Sequence, residues 1–124
     1  MILVTGGTGL VGSHLLVRLV QENEPIKATY RTLESIEKTK KVFSYYTHTT
    51  KDLFTKIEWI QADITDVPSM TPAFKDVKKV YHCAAVISFD PADYRTMRKV
   101  NIHGTAIIAN LAIDAKVEKL CFVS

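Results

Sequence analysis

Four of the chain's five glycines stand within seven positions, Gly6-Gly7-Thr8-Gly9-Leu10-Val11-Gly12. Three apolar residues, Ile2, Leu3 and Val4, lead into them through Thr5, and an amphipathic stretch follows. An apolar run, a glycine turn and a helical pattern read as strand, tight loop and helix. That is the opening of a βαβ unit built to hold a dinucleotide. The chemistry needs this spacing. A pyrophosphate must approach the first backbone N–H groups of a helix, which have no intrahelical partners and sit at the positive end of the dipole. A Cβ at the close-approach glycine would block the ligand, and one at Gly12 would push the helix off the sheet. Two registers fit. Gly7, Gly9 and Gly12 give G-x-G-x-x-G, and Gly6, Gly9 and Gly12 give G-x-x-G-x-x-G. Gly6, Thr8, Gly9, Leu10, Val11 and Gly12 together form the candidate phosphate loop.

The rest of the chain alternates strand and helix patterns. Residues 10–22 carry Leu10, Val11, Leu15, Leu16, Leu19 and Val20 at helical spacing, with Asn23 and Pro25 as the stop. A short strand over 26–30 follows, then a polar, lysine-rich helix over 32–46 and a loop at His48-Thr49-Thr50. Residues 56–62 read as a third strand. Pro68 and Pro72 confine the next helix to about 69–76. Residues 79–84 form a fourth strand, 85–91 a loop, 92–115 one long helix and 117–124 a fifth strand. This predicts one α/β domain over 1–124: a doubly wound parallel sheet of order 3-2-1-4-5 with right-handed crossovers, ending after strand 5. Leu120-Cys121-Phe122-Val123 would then be an apolar strand on an open sheet edge, prone to associate.

Composition narrows the function. The chain has 124 residues, 47% hydrophobic, and a net charge of +3, with its lysines concentrated in 38–56 and 75–79. That balance suits a small anionic ligand, and no aromatic-interleaved basic patch points to nucleic acid. Cys83 and Cys121 sit in apolar runs and read as buried free thiols rather than a disulfide or a metal pair, and no metal site is expected. No apolar stretch reaches transmembrane length, and Met1 leads directly into the first strand. The expectation is a cytoplasmic protein with no membrane partner.

The end of strand 2 bears on the cofactor. An NAD site places Asp or Glu about 20 residues past the glycines, where it accepts from the ribose hydroxyls. Here Arg31 takes that place, and the nearest acid, Glu34, comes three residues later. A guanidinium would bind a 2′-phosphate through charge-assisted bonds worth about 1.5–3 kcal/mol each, enough for a tenfold or greater preference for NADP. The plainer reading of Arg31 is a solvated surface residue. Lys38 offers a second positive charge. Asp63 either accepts from an adenine amino group or serves as a turn or N-cap residue. His82 lies inside a strand and reads as a core histidine. Asn101 and Gly104 sit mid-helix, where both are poor helix formers. Gly104 suggests close packing on the sheet. Asn101 suggests a polar partner near the strand ends, against the alternative of an exposed position.

Taken in order, these residues resemble the extended short-chain dehydrogenase/reductase superfamily. The matching pieces are Thr5 to Gly12, Arg31, Asp63-Ile64, Val80-Tyr81-His82-Cys83-Ala84-Ala85, Asn101-Ile102-His103-Gly104-Thr105 and Phe122-Val123-Ser124. They span essentially the whole chain. Ala28-Thr29-Tyr30-Arg31, with Lys38 seven residues on, is similar to the NADP-dependent branch of dihydroflavonol reductases and cinnamoyl-CoA reductases. The resemblance implies that Gly6, Gly9, Leu10 and Val11 hold the pyrophosphate and that Arg31 and Lys38 hold the 2′-phosphate. It implies adenine contacts from Asp63 and Ile64, a nicotinamide wall of Ala84, Ala85 and Val86, and support from Asn101.

One departure is large. The family's chemistry uses a Ser or Thr after strand 5 and a Tyr-x-x-x-Lys on the next helix. No tyrosine here has a lysine four residues on. Ser124 aligns beside the expected catalytic hydroxyl, so the sequence is expected to stop just before its active site and to hold no catalytic residue. The resemblance implies the NADP-binding portion of an oxidoreductase that moves a hydride between NADPH and a carbonyl or secondary alcohol. The 124 residues alone would be inactive, and a homodimer of the full-length protein is compatible. Two alternatives stand beside this reading: a nucleotide-sugar epimerase or dehydratase with bound NAD, and a non-catalytic dinucleotide-sensing module.

Overall fold

The computed structural model describes residues 1–46, 52, 54–86 and 88–123. Five parallel strands make one sheet: β1 (Ile2–Thr5), β2 (Ile26–Tyr30), β3 (Ile57–Gln61), β4 (Lys79–His82) and β5 (Lys119–Phe122). Their order is β3-β2-β1-β4-β5, as the alternating pattern predicts. The register places Leu3 between Lys27 and Val80, and Val4 between Ala28 and Tyr81.

β1 is buried along its whole length because both its faces are covered. Side chains alternate across a strand. Ile2 and Val4 pack with Leu16, Val20, Ile26 and Phe43 under α1 (Leu10–Gln21) and α2 (Leu33–Tyr46). Leu3 faces the other way, onto Met70, Phe74, Val80, Ile108 and Ala112. The second layer comprises α3 (Val67–Met70), a 3-10 turn over Thr71–Phe74, and α5 (Thr105–Asp114). α1 ends where the sequence says it should. Asn23 takes a left-handed φ of 59° and donates its N–H to the Val20 carbonyl, and Pro25 lies just beyond.

Several boundaries move. The short helix begins at Val67 rather than 69, because Pro68 fits a first turn, where its missing N–H costs nothing. β4 ends at His82 and β5 at Phe122, both short of the predicted strands. The expected single helix over 92–115 is interrupted. It runs as a 3-10 turn (Pro91–Asp93), α4 (Tyr94–Arg98), a π-helical segment (Lys99–Gly104) and α5. The π segment holds the two poor helix formers, Asn101 and Gly104. The cysteines are half-buried rather than buried. Cys83 lies just past the last β4 residue, and Cys121 is on the edge strand β5. The loop assigned to His48-Thr49-Thr50 lies outside the described residues.

Candidate functional site

Each glycine of the run has a separate task. Gly6 takes a left-handed φ of 70°, and a Cβ on it would strike the Ala84 backbone N–H and, at 2.6 Å, the Ala84 Cα. Gly7 is buried, and its Cβ would meet Leu16 Cδ1 at 2.8 Å. Gly12 faces the Gly6 carbonyl so closely that any Cβ would overlap it. The obstacle at Gly12 is therefore the glycine loop itself rather than the sheet. Gly9 is different. Its Cβ would meet only the Gly6 carbonyl oxygen, at an ordinary 3.4 Å, and would otherwise enter open space. It is also the N-cap of α1, with no side-chain cap. The N–H groups at the start of that helix are left for something else to satisfy.

The open space is a cleft of about 620 Å³ along the carboxyl ends of β1, β2, β3 and β4. Its walls include Gly6, Thr8, Gly9, Arg31, Lys38, Asp63, Ile64, Ala84, Ala85 and Val86, all of them candidates from the sequence. Carboxyl ends of strands at the point where the order reverses are where doubly wound sheets take ligands. At one end stand Arg31, Thr32, Ser35 and Lys38, from the end of β2 and the first turns of α2. The Arg31 carbonyl accepts from Gln61 Nε2 at 3.2 Å, which ties this corner to β3. Among the described residues, neither Arg31 nor Lys38 is in an ion pair.

Asp63 lies on the opposite wall and fills a turn role as well as a cleft position. Its Oδ1 accepts from the Thr65 N–H at 2.9 Å and from the Thr65 hydroxyl at 2.7 Å. The Thr65 backbone N–H is the main influence holding the carboxyl below the usual range, helped by the Thr65 hydroxyl and the charges of Arg31 and Lys99, while partial burial opposes it. Beside it, Ile64 packs on Gly104. A Cβ at Gly104 would come within 2.6 Å of Ile64 Cδ1, which accounts for a glycine in mid-helix.

At the far end the π segment brings Asn101 under the loop after β4. Its Oδ1 accepts from the Val86 N–H at 2.9 Å, and its Nδ2 donates to the Val86 carbonyl at 2.8 Å. Asn101 thus has the polar partner its position suggested. Its residue surface is nevertheless exposed. A second cavity of about 440 Å³ adjoins here. Cys83, Ala84 and Ala85 line both spaces, and Val11, His82, Asn101 and Thr105 line the second.

His82 is buried, as a core histidine should be, and both ring nitrogens are paired. Thr5 Oγ1 accepts from the Ala84 N–H at 3.4 Å and is hydrogen-bonded to His82 Nδ1 at 2.6 Å. Nε2 is hydrogen-bonded to Thr105 Oγ1 at 3.0 Å. Burial pushes the His82 pKa down, so the ring stays neutral, and burial pushes the Cys83 thiol up.

Leu10 and Gly12 line neither space. The Leu10 side chain is exposed, so only its backbone is aimed by the loop. Ser124 lies outside the described residues. Thr29, Tyr30, Thr32, Ser35, Ala62, Cys83 and Val100 also line the cleft and are not among the candidate site residues read from sequence. Ser35 has a usable signal, standing three residues before Lys38, one helical turn away on α2.

Residues 3–124 match the 3-beta hydroxysteroid dehydrogenase/isomerase family. Among curated proteins, Protein BRI1-5 ENHANCED 1 of Arabidopsis thaliana is 33% identical over 125 residues, covering 98% of this chain and 33% of the relative. The dTDP-D-glucose 4,6-dehydratase of Homo sapiens is 30% identical over 127 residues, covering 99% of this chain and 35% of the relative. Dihydroflavonol 4-reductase of Dianthus caryophyllus also matches, at 26% over 122 residues, covering 98% of this chain and 31% of the relative. A short-chain dehydrogenase/reductase superfamily protein from Agrobacterium tumefaciens, solved with bound NAD, superposes with a TM-score of 0.77 at 26% identity, over 100% of this chain and 32% of that one. The chain spans about a third of the length of the curated relatives it matches. A family match over nearly every residue, on a sheet of this order, makes the chain a member of the 3-beta hydroxysteroid dehydrogenase/isomerase family within the extended short-chain dehydrogenases/reductases.

Proposed function

We propose that the cleft binds NADP and that the complete protein is a reductase, moving a hydride between NADPH and a carbonyl or secondary alcohol. The observation that carries the cofactor choice is the corner formed by Arg31 and Lys38. Arg31 lines the cleft at the end of β2, where an NAD site would place an acid, and Lys38 lines it from α2. A 2′-phosphate there meets two cations with no ion-pair partner among the described residues. The phosphate loop offers the N–H groups of the first turn of α1 to the pyrophosphate. Asp63 and Ile64 border the adenine, and Ala84, Ala85 and Val86 give the nicotinamide a small-residue wall held in place by Asn101. The dinucleotide supplies the hydride, and these residues bind and orient it. The proton-transfer step is assigned to no residue of this chain.

Arg31→Ala tests the choice. NADP+ affinity should fall about tenfold or more, the worth of one charge-assisted bond, while NAD+ affinity stays within about twofold. Equal loss for both cofactors overturns the assignment. A second reading, an NAD-dependent dehydratase or epimerase, draws on the similarity to the human dehydratase and on the NAD-bound Agrobacterium protein. It requires NAD+ to bind at least as tightly as NADP+.

A further inference from the structure

α2 is mostly solvated, yet Thr39 and Phe43 are fully buried on its inner face. Phe43 is ordinary core. Thr39 carries a hydroxyl into a place where an aliphatic residue would pack as well. A buried helical threonine can return its hydroxyl to a carbonyl of its own helix. Thr39 instead donates to the Gly7 carbonyl at 2.9 Å, across to the phosphate loop. Carbonyl and N–H lie on opposite sides of a trans peptide plane. With the Gly7 carbonyl drawn to Thr39, the Thr8 N–H points away from it. Thr8 lines the cleft, and its N–H has no backbone partner among the described residues.

We infer that Thr39 is a positioning residue for phosphate recognition: through the Gly7 carbonyl it sets the Gly7–Thr8 peptide so that the Thr8 N–H faces the dinucleotide's pyrophosphate. The inference rests on the proposed dinucleotide site. The same bond fixes α2, and with it Lys38 one residue earlier, against the loop. One buried hydroxyl therefore registers the phosphate loop and the Lys38 corner to each other. Its effect differs in kind from that of Arg31. Arg31 favours only a cofactor carrying a 2′-phosphate, whereas a correctly turned Thr8 N–H serves the pyrophosphate common to NAD and NADP.

The test compares wild type, Thr39→Val and Thr39→Ser. Val keeps the volume and removes the donor, and Ser keeps the donor. Affinities for NAD+ and NADP+ are measured by calorimetry, and the Thr8 amide proton is followed by NMR during each titration. Thr39→Val should weaken both cofactors by a similar factor, about tenfold, the worth of one charge-assisted bond. Thr39→Ser should return both to within about threefold of wild type. The Thr8 amide should shift downfield on binding in wild type and Thr39→Ser, and not in Thr39→Val. A folded Thr39→Val that binds both cofactors as wild type does, or a Thr8 amide in wild type that is unmoved at saturation, overturns the inference. If Thr39→Val does not fold, Thr39→Ala, which also lacks the donor, takes its place and is read by the same affinities and the same Thr8 amide shift. If wild type binds neither cofactor, the proposed site fails, and the inference falls with it.

Discussion

Gly6 and Gly9 belong to the same motif, and the structure assigns them opposite consequences when a methyl group is added. At Gly6, alanine must adopt the left-handed conformation at φ 70°, costing about 1–2 kcal/mol. Its Cβ also runs into backbone of the strand-4 loop, at Ala84, which cannot swing aside as a side chain would. Forced repacking of that kind costs about 1–3 kcal/mol more. A loss of about 2–5 kcal/mol is a large part of the 5–15 kcal/mol typical of a domain. With a urea slope of about 1–3 kcal/mol per molar, the midpoint should fall by about 1 M or more. At Gly9 the backbone is extended (φ −85°, ψ 179°) and accepts alanine, and the nearest neighbour stands at 3.4 Å. Gly9→Ala should cost less than about 1 kcal/mol, the scale of an N-cap change. Its methyl group would project into the cleft, so NADP+ affinity should fall at least about tenfold. Urea titration and calorimetry on the two variants separate the effects. If Gly9→Ala unfolds as readily as Gly6→Ala, or binds NADP+ undiminished, the division of labour argued for the glycines is wrong.

Two further predictions concern pH. His82 is held neutral by burial, with a folded pKa below the unfolded value of about 6.5. The unfolded chain therefore takes up a proton first, and stability should decline as pH falls below about 6.5, levelling at the folded pKa. His82→Gln should flatten that slope between pH 7 and 5, and an unchanged slope in urea titrations would assign it elsewhere. Asp63 is the acidic counterpart. Its lowered pKa gives stability that is complete above about 4 and lost as pH falls through the folded value. Asp63→Asn should remove this part of the acid sensitivity, and acid titrations of the two proteins that coincide in slope would refute the role given to Thr65.

The fold was legible because its signals are local. Apolar runs separated by helical patterns fix the sheet type, and the glycine run marks where strand 1 hands over to helix 1. Most candidate cleft residues were legible for a related reason: in a parallel sheet they follow strand ends, and strand ends show in sequence. What was hidden depends on contacts between distant segments. The link from Thr39 to Gly7 spans 32 positions, and that from Thr5 to His82 spans 77. Neither leaves a periodic trace. The π segment was missed because Ile102, Ile108 and their neighbours satisfy a helical pattern, and the extra residue per turn shows only in where Asn101 and Gly104 point. The half-burial of Cys121 follows from its place on edge strand β5, which the predicted strand order already implied; reading the thiol as buried gave the apolar run more weight than that order.

The most direct test of the central claim is the ratio of Kd values for NADP+ and NAD+ on the unmodified chain, measured by calorimetry at low salt so that the charges at Arg31 and Lys38 are not screened. NADP+ should bind at least about tenfold tighter. NAD+ binding as tightly or more tightly would contradict it and shift the reading to the dehydratase and epimerase side of the superfamily.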